Sequence, residues 1–234
     1  MIAGAGELDR RSLLTQLGTI AIAVVAFLVP SIPGWSGDPN RHSLFVASIP
    51  VAVLLLAVYL VSAIRGLRRH GAMHEPEPSQ SSWSMRTGIT VLAVAAVATA
   101  FVSEALVGSL EGFGHALGWS DFFIAVVIVA IVGNAAEHGG AIVVAHRGRT
   151  KLASEIAISS AAQVAVFVAP AAALLSIPAG NDLTLAFRPV EIATMALATL
   201  AVAYVVFDGR STRREGIALV AGYGGAVAAY ALAG

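Results

Sequence analysis

The 234-residue chain contains no cysteine. Disulfide frameworks and thiolate metal sites are excluded, and cysteine usage carries no information on redox compartment. Charge is scarce as well. Asp, Glu, Lys and Arg make up 12% of the residues, where a soluble globular chain carries about a quarter. Fourteen Lys and Arg balance fourteen Asp and Glu, so no basic excess points to a nucleic-acid partner. Polar sequence long enough for a sizeable soluble domain is also missing. In its place the chain is 57% hydrophobic, with a mean hydropathy of +0.82. These are the proportions of a membrane protein.

A membrane-spanning helix needs roughly 20 apolar residues. By that rule spans are predicted at 13–31, 43–64, 87–109, 121–145, 153–177, 189–207 and 215–233. The expected fold is all-α and polytopic, with the lipid bilayer as its main partner. The longest polar stretch, Arg65–Arg86, holds His70, His74, Glu75, Pro76, Glu77 and Pro78, then a Ser/Gln run. It reads as a flexible, solvated linker. The expected organisation is a two-helix front part (1–70), a cytosolic linker (71–86) and a five-helix membrane region (87–234).

Basic residues orient the spans. Arg10, Arg11, Arg65, Arg68, Arg69, Arg86, Arg147, Arg149, Lys151, Arg210, Arg213 and Arg214 fall on one side of seven alternating helices. Only Arg41 and Arg188 fall on the other. The N-terminus is therefore expected in the cytoplasm, with a bacterial inner (plasma) membrane as the location. A cleaved signal peptide is the rival reading of the first span, but the apolar stretch is long and no clear small-residue cleavage site follows. Pro30, Pro33, Gly34 and Trp35 read instead as an interfacial loop.

Within the fourth span lies Gly133-Asn134-Ala135-Ala136-Glu137-His138. Hydrocarbon makes a carboxylate, a carboxamide and an imidazole costly, so such a cluster is a functional hypothesis by default. Spacings of i, i+3 and i+4 put Asn134, Glu137 and His138 on one helix face. Gly133, Gly139 and Gly140 permit close packing or a local break, and a break would expose backbone carbonyls to a cation.

The fifth span holds Ser159, Ser160 and Gln163. Glu137 lies nine positions before His146, and Ser160 nine after Lys151. At 1.5 Å per residue both sit about 13–14 Å from their shared loop, close to the midplane of a ~30 Å core. Two helices joined by a short loop should be neighbours, so these oxygens can meet at one level. Carboxylate, carboxamide and hydroxyl together form the ligand set of a hard cation.

Plainer roles stand beside these. Ser159 fits a packing residue bonded to backbone, and Gln163 fits interhelical glue. His138 fits a partner for Glu137. A midplane carboxylate, however, must be protonated, paired or ion-bound. Glu104, in the third span about 27 Å beyond Arg86, reads as an outer-pathway or interfacial carboxylate. Glu191 fits the first turn of the sixth span, and Glu155 is placed to pair with Lys151 one turn away. No nucleophile or metal-ligand trio accompanies Glu137 and His138, so an intramembrane enzyme is disfavoured, and no cofactor is called for.

With these residues in view, Gly133–His138 followed by Ile158-Ser159-Ser160-Ala161-Ala162-Gln163-Val164-Ala165-Val166-Phe167-Val168-Ala169-Pro170 resembles the second α-repeat of the calcium/proton exchanger family, part of the cation/Ca²⁺ exchanger superfamily. Ser103-Glu104-Ala105-Leu106-Val107-Gly108 resembles the acidic helix before that repeat, and Asp208-Gly209-Arg210-Ser211 the loop before the last helix. The resemblance implies calcium/proton antiport. Asn134, Glu137, Ser160 and Gln163 would be cation ligands, with Glu137 also exchanging protons. His138, Ser159 and Glu104 would support the site or its pathway.

The resemblance also implies eleven helices and two inverted repeats, each with one buried Glu. This chain shows one repeat, and its spans look like the last seven. Three arrangements would account for this: a truncated or mis-started reading frame, a subunit whose partner chain carries the first repeat, or a homo-oligomer with antiparallel copies. A non-transporting subunit is the alternative function. The one-sided basic residues oppose the antiparallel case.

Overall fold

The computed structural model describes residues 6–36, 41–71 and 84–233. Among them eight helices and a two-stranded ribbon form. The helices are α1 (Arg10–Trp35), α2 (Arg41–Gly71), α3 (Met85–Ala116), α4 (Asp121–Gly133), α5 (Ala135–His146), α6 (Thr150–Leu175), α7 (Pro189–Val206) and α8 (Arg213–Ala233). Six are long and apolar enough to cross a membrane, and α4 with α5 makes a seventh if the interrupted pair is one span. The fold is thus the expected all-α polytopic one. Large apolar residues are exposed, such as Leu232 at 90% and Tyr204 at 81%, as expected of a surface that meets lipid.

The described helices divide into two compact units. One joins 1–64 with 134–229, and the other joins 65–133 with 230–234. This grouping differs from the front-and-back division expected from the linker, because α1 packs along α6 and α7. Residues 72–83, which carry His74, Glu75 and Glu77, lie outside the described residues. In the second unit α3 packs on α4, where the Ile124 side chain fills the space a Cβ on Gly114 would need.

The core of the first unit brings Val24 and Phe27 of α1, Val51 and Leu55 of α2, Val166 and Ala173 of α6, and Ile192 of α7 around Leu185. Lipid tails are as apolar as these side chains, so close packing rather than water exclusion holds such helices together. Leu185 belongs to an extended segment, 181–188, between α6 and α7. Backbone N–H groups that have no helical partner and are buried must find other acceptors. Alternate N–H groups here do so. Leu183 N donates to Ser176 Oγ (3.3 Å), Leu185 N to Ser48 Oγ (2.9 Å) and Phe187 N to Ser31 Oγ (2.9 Å). Trp35 Nε1 donates to Phe187 O at 2.8 Å.

The interfacial loop expected at Pro30–Trp35 is therefore a correction: α1 runs through both prolines to Trp35. Its last turns are tied to the extended segment by Ser31 and Trp35, and such outside contacts let a membrane helix carry proline. Glu191 behaves as expected at its helix start, with Oε2 accepting from Arg188 N at 2.6 Å.

At the opposite end β1 (Gly6–Glu7) pairs antiparallel with β2 (Arg210–Ser211), and Leu8 N donates to Gly209 O at 2.9 Å. Gly209 adopts φ 76°, and Gly148 adopts φ 77° in the α5–α6 turn. Both are left-handed positions that favour glycine. Asp9 caps α1 by accepting from Ser12 N at 3.2 Å, and Lys151 Nζ lies 3.0 Å from its carboxylate. The hydrogen bond from Lys151, aided by the Ser12 N–H, holds the Asp9 carboxyl below its ordinary 3.8. A lowered folded value means that the charged form favours folding above pH 3.8 and that this contribution fades as pH falls through the lowered value. Asn is also a good cap. The melting-temperature gap between wild type and Asp9→Asn is expected to close as pH is taken below 3.8, measured by thermal unfolding in detergent.

Candidate cation site

The fourth span is not one continuous helix. Its backbone leaves helical geometry at Asn134 (φ −105°, ψ 16°) and resumes at Ala135. Glu137 consequently lies in the first turn of α5, where unpaired N–H groups and the helix dipole favour an anion.

Below this break is a cavity of about 590 Å³ in the first unit. Its polar lining is Asn134, Glu137 and His138 of α5, Ser160 of α6 and Thr199 of α7. The rest is apolar and includes Leu17 and Phe27 of α1 and Phe187 of the 181–188 segment. The volume far exceeds a bare ion and accommodates a partly hydrated one. Glu137 and His138 are exposed, and Asn134 and Ser160 half-buried.

Four sequence-derived candidates thus share one cavity: Asn134, Glu137, His138 and Ser160. Three do not reach it. Ser159 is half-buried with its Oγ donating to Ile156 O at 3.4 Å, the packing role weighed for it. Gln163 is exposed and outside the lining. The α6 wall of the cavity repeats through Ala157, Ala161, Ala165 and Ala169, so Gln163 lies about half a turn from Ala161. Glu104 sits exposed on α3, in the other unit.

Thr199 escaped the sequence reading. Its Oγ1 donates to Met195 O at 2.7 Å, which leaves its lone pairs available. The signal was present: Thr199 lies nine positions before Asp208, the same count that placed Glu137 and Ser160 at mid-depth. A lone threonine in an apolar run simply looks like packing.

The expected Lys151–Glu155 pair also needs correction. Lys151 turns to Asp9. Glu155 Oε2 accepts instead from Ser12 Oγ at 3.1 Å and Gln16 Nε2 at 2.8 Å. The interface of α1 with α6 offers partners at shorter reach than one turn along α6.

Chemically the described lining presents one carboxylate, one carboxamide, one imidazole and two hydroxyls. Among the described residues no three His, Asp or Glu side chains gather as a metal cluster. Oxygen donors of this kind suit a hard cation held weakly enough to leave.

A family model described as sodium/calcium exchanger protein matches residues 87–231. The chain belongs to that family. Its similar proteins include Ca(2+)/H(+) antiporter ChaA of Bacillus subtilis (strain 168), 34% identical over 86% of this chain and 58% of that one. Vacuolar calcium ion transporter of Schizosaccharomyces pombe (strain 972 / ATCC 24843) is 32% identical over 92% of this chain and 55% of its own. A solved structure of native YfkE superimposes with a TM-score of 0.78 at 31% identity, covering 98% of this chain and 66% of that one. The chain therefore spans just over half the length of the curated relatives it matches. The family is one of membrane transporters, and this exchanger-family chain is an integral membrane protein, in agreement with the calcium/proton exchanger resemblance.

Proposed function

We propose that this exchanger-family protein takes part in Ca²⁺/H⁺ antiport, with the Glu137 carboxylate as the group for which Ca²⁺ and protons compete. The observation that carries the reading is the shared cavity of Asn134, Glu137, Ser160 and Thr199, with oxygens from three helices around one carboxylate at mid-depth. The relatives' names add support, since two of them specify calcium and one specifies protons. Cation binding draws on the ionised carboxylate, and proton binding cancels that charge. Exchange then follows if the site opens alternately to the two sides. The basic residues at the loops support a cytoplasmic N-terminus.

The exposure of Glu137 and Gln163 supports a further element of this reading. A carboxylate at mid-depth needs enclosure. A polypeptide carrying the inverted first repeat would supply it, and Gln163 would face such a neighbour rather than the cavity described above.

The test is ⁴⁵Ca²⁺ movement in sealed vesicles containing the purified chain, alone and with the four-helix part of a relative supplied in trans. An acid-inside proton gradient is expected to drive Ca²⁺ uptake that a protonophore abolishes. Uptake indifferent to the gradient in both preparations would overturn the reading.

A further inference from the structure

Glu155 is a carboxylate on the α1–α6 seam that the cavity does not use. It lies four residues after Lys151 and five before Ser160, hence about 6 Å from the basic end of α6 and 7–8 Å short of the cavity level. Its bonded partners among the described residues are neutral: Ser12 Oγ at 3.1 Å and Gln16 Nε2 at 2.8 Å. Gln16 Nε2 also reaches Ser12 Oγ at 3.2 Å. Gln16 Oε1 is buried with no hydrogen-bond partner. A buried acceptor left open costs about 1–3 kcal/mol, so its persistence asks for an occupant.

Two nearby cations are engaged elsewhere. Lys151 Nζ sits 3.0 Å from Asp9, and the Arg10 guanidinium carbon lies 4.4 Å from the Phe207 ring centroid. What remains is a carboxylate that accepts from a hydroxyl and a carboxamide N–H, with the carboxamide oxygen open on the other side of the amide. A cation bound there would exchange the two Gln16 Nε2 bonds for its own, with the amide turned over so that its oxygen takes the place Nε2 holds beside Glu155. The cluster adjoins the cavity: Gln16 precedes the lining residue Leu17, and Glu155 stands two residues before the lining residue Ala157.

We propose that Glu155, Gln16 and Ser12 form a second station for a hard divalent cation, between the basic end of the bundle and the Glu137 cavity. An ion entering from that end would exchange part of its water shell for these oxygens before reaching mid-depth. Only the direction of travel rests on the antiport reading; the binding site stands on its own geometry.

Mn²⁺ provides the probe, because paramagnetic resonance counts bound ions on the full-length chain in detergent or nanodiscs. Glu137→Gln is expected to leave one bound Mn²⁺, and adding Glu155→Gln to weaken that site about tenfold or more. Gln16→Glu, which adds a second carboxylate, is expected to tighten it and serves should Glu155→Gln fold poorly. The station is overturned if Glu137→Gln alone removes all Mn²⁺ binding. It is also overturned if Glu155→Gln shifts only the pH dependence of transport and leaves Mn²⁺ stoichiometry unchanged, or if Gln16→Glu leaves affinity unchanged. Mn²⁺ held at Glu155 with none lost on Glu137→Gln would instead uphold the station and remove the antiport reading.

Discussion

Glu137→Gln is expected to abolish the proposed proton-coupled Ca²⁺ movement while leaving the helices and their thermal stability in place. The substitution keeps size and shape and removes the charge and the exchangeable proton. Losing a group that merely supports a metal ligand typically costs about 10–100-fold, so loss of the only carboxylate among the described residues lining the cavity should exceed that range. Stability should be spared, because Glu137 is exposed and its carboxamide analogue is easier to keep in hydrocarbon than a carboxylate. A further readout separates ligand loss from damage. Wild-type Ca²⁺ binding should fall as protons are added, whereas residual binding by the variant should lose that dependence. Retained gradient-driven ⁴⁵Ca²⁺ flux in the variant would remove Glu137 from the mechanism. Asn134→Ala is the graded comparison. It deletes a neutral donor and should weaken binding without erasing its pH dependence.

The spans were legible because a bilayer imposes a length and a composition that no loop satisfies. The cluster at Asn134–His138 was legible because polar groups stand out against hydrocarbon. Counting residues from the α5–α6 turn placed Ser160 level with Glu137, and both line one cavity. The same counting fails to fix rotation. Gln163 shares the depth range of Ser160 but lies on another face of α6, and a switch to π-helical turns over Val164–Val168 follows it directly. Thr199 comes from a helix distant in sequence, and its residue type carries no alarm. The pairing of Lys151 with Asp9, and of Glu155 with Gln16, depends on α1 lying against α6. Local i, i+4 spacing cannot register a competitor some 140 residues away.

The anchoring of the 181–188 segment was likewise invisible, and it supports the second large effect. Ser31→Ala and Ser48→Ala are each expected to destabilise the protein by about 1–3 kcal/mol, the cost of stranding a buried donor. Both serines are 1% exposed. Each hydroxyl donates to its own helix, Ser31 Oγ to Phe27 O (2.6 Å) and Ser48 Oγ to Leu44 O (2.8 Å). Each then accepts from the extended segment, at Phe187 N and Leu185 N (both 2.9 Å). A carbonyl already bonded in its helix loses little when the hydroxyl goes, but a buried N–H left without an acceptor carries the full desolvation cost. Ser36→Ala is the control, since Ser36 is exposed and bonds only to Ile32 O and Pro33 O of its own helix. Thermal unfolding in detergent should therefore rank Ser36→Ala near wild type and both buried variants well below it. The Ser31 variant should carry a functional cost that the Ser48 variant shows less. Phe187, whose N–H it frees, lines the cavity and sets its ring, tilted, 4.9 Å from that of Phe27. Equal stability for all three variants would mean that the segment is held by its apolar side chains, with Leu185 in the core doing what is here assigned to two hydroxyls.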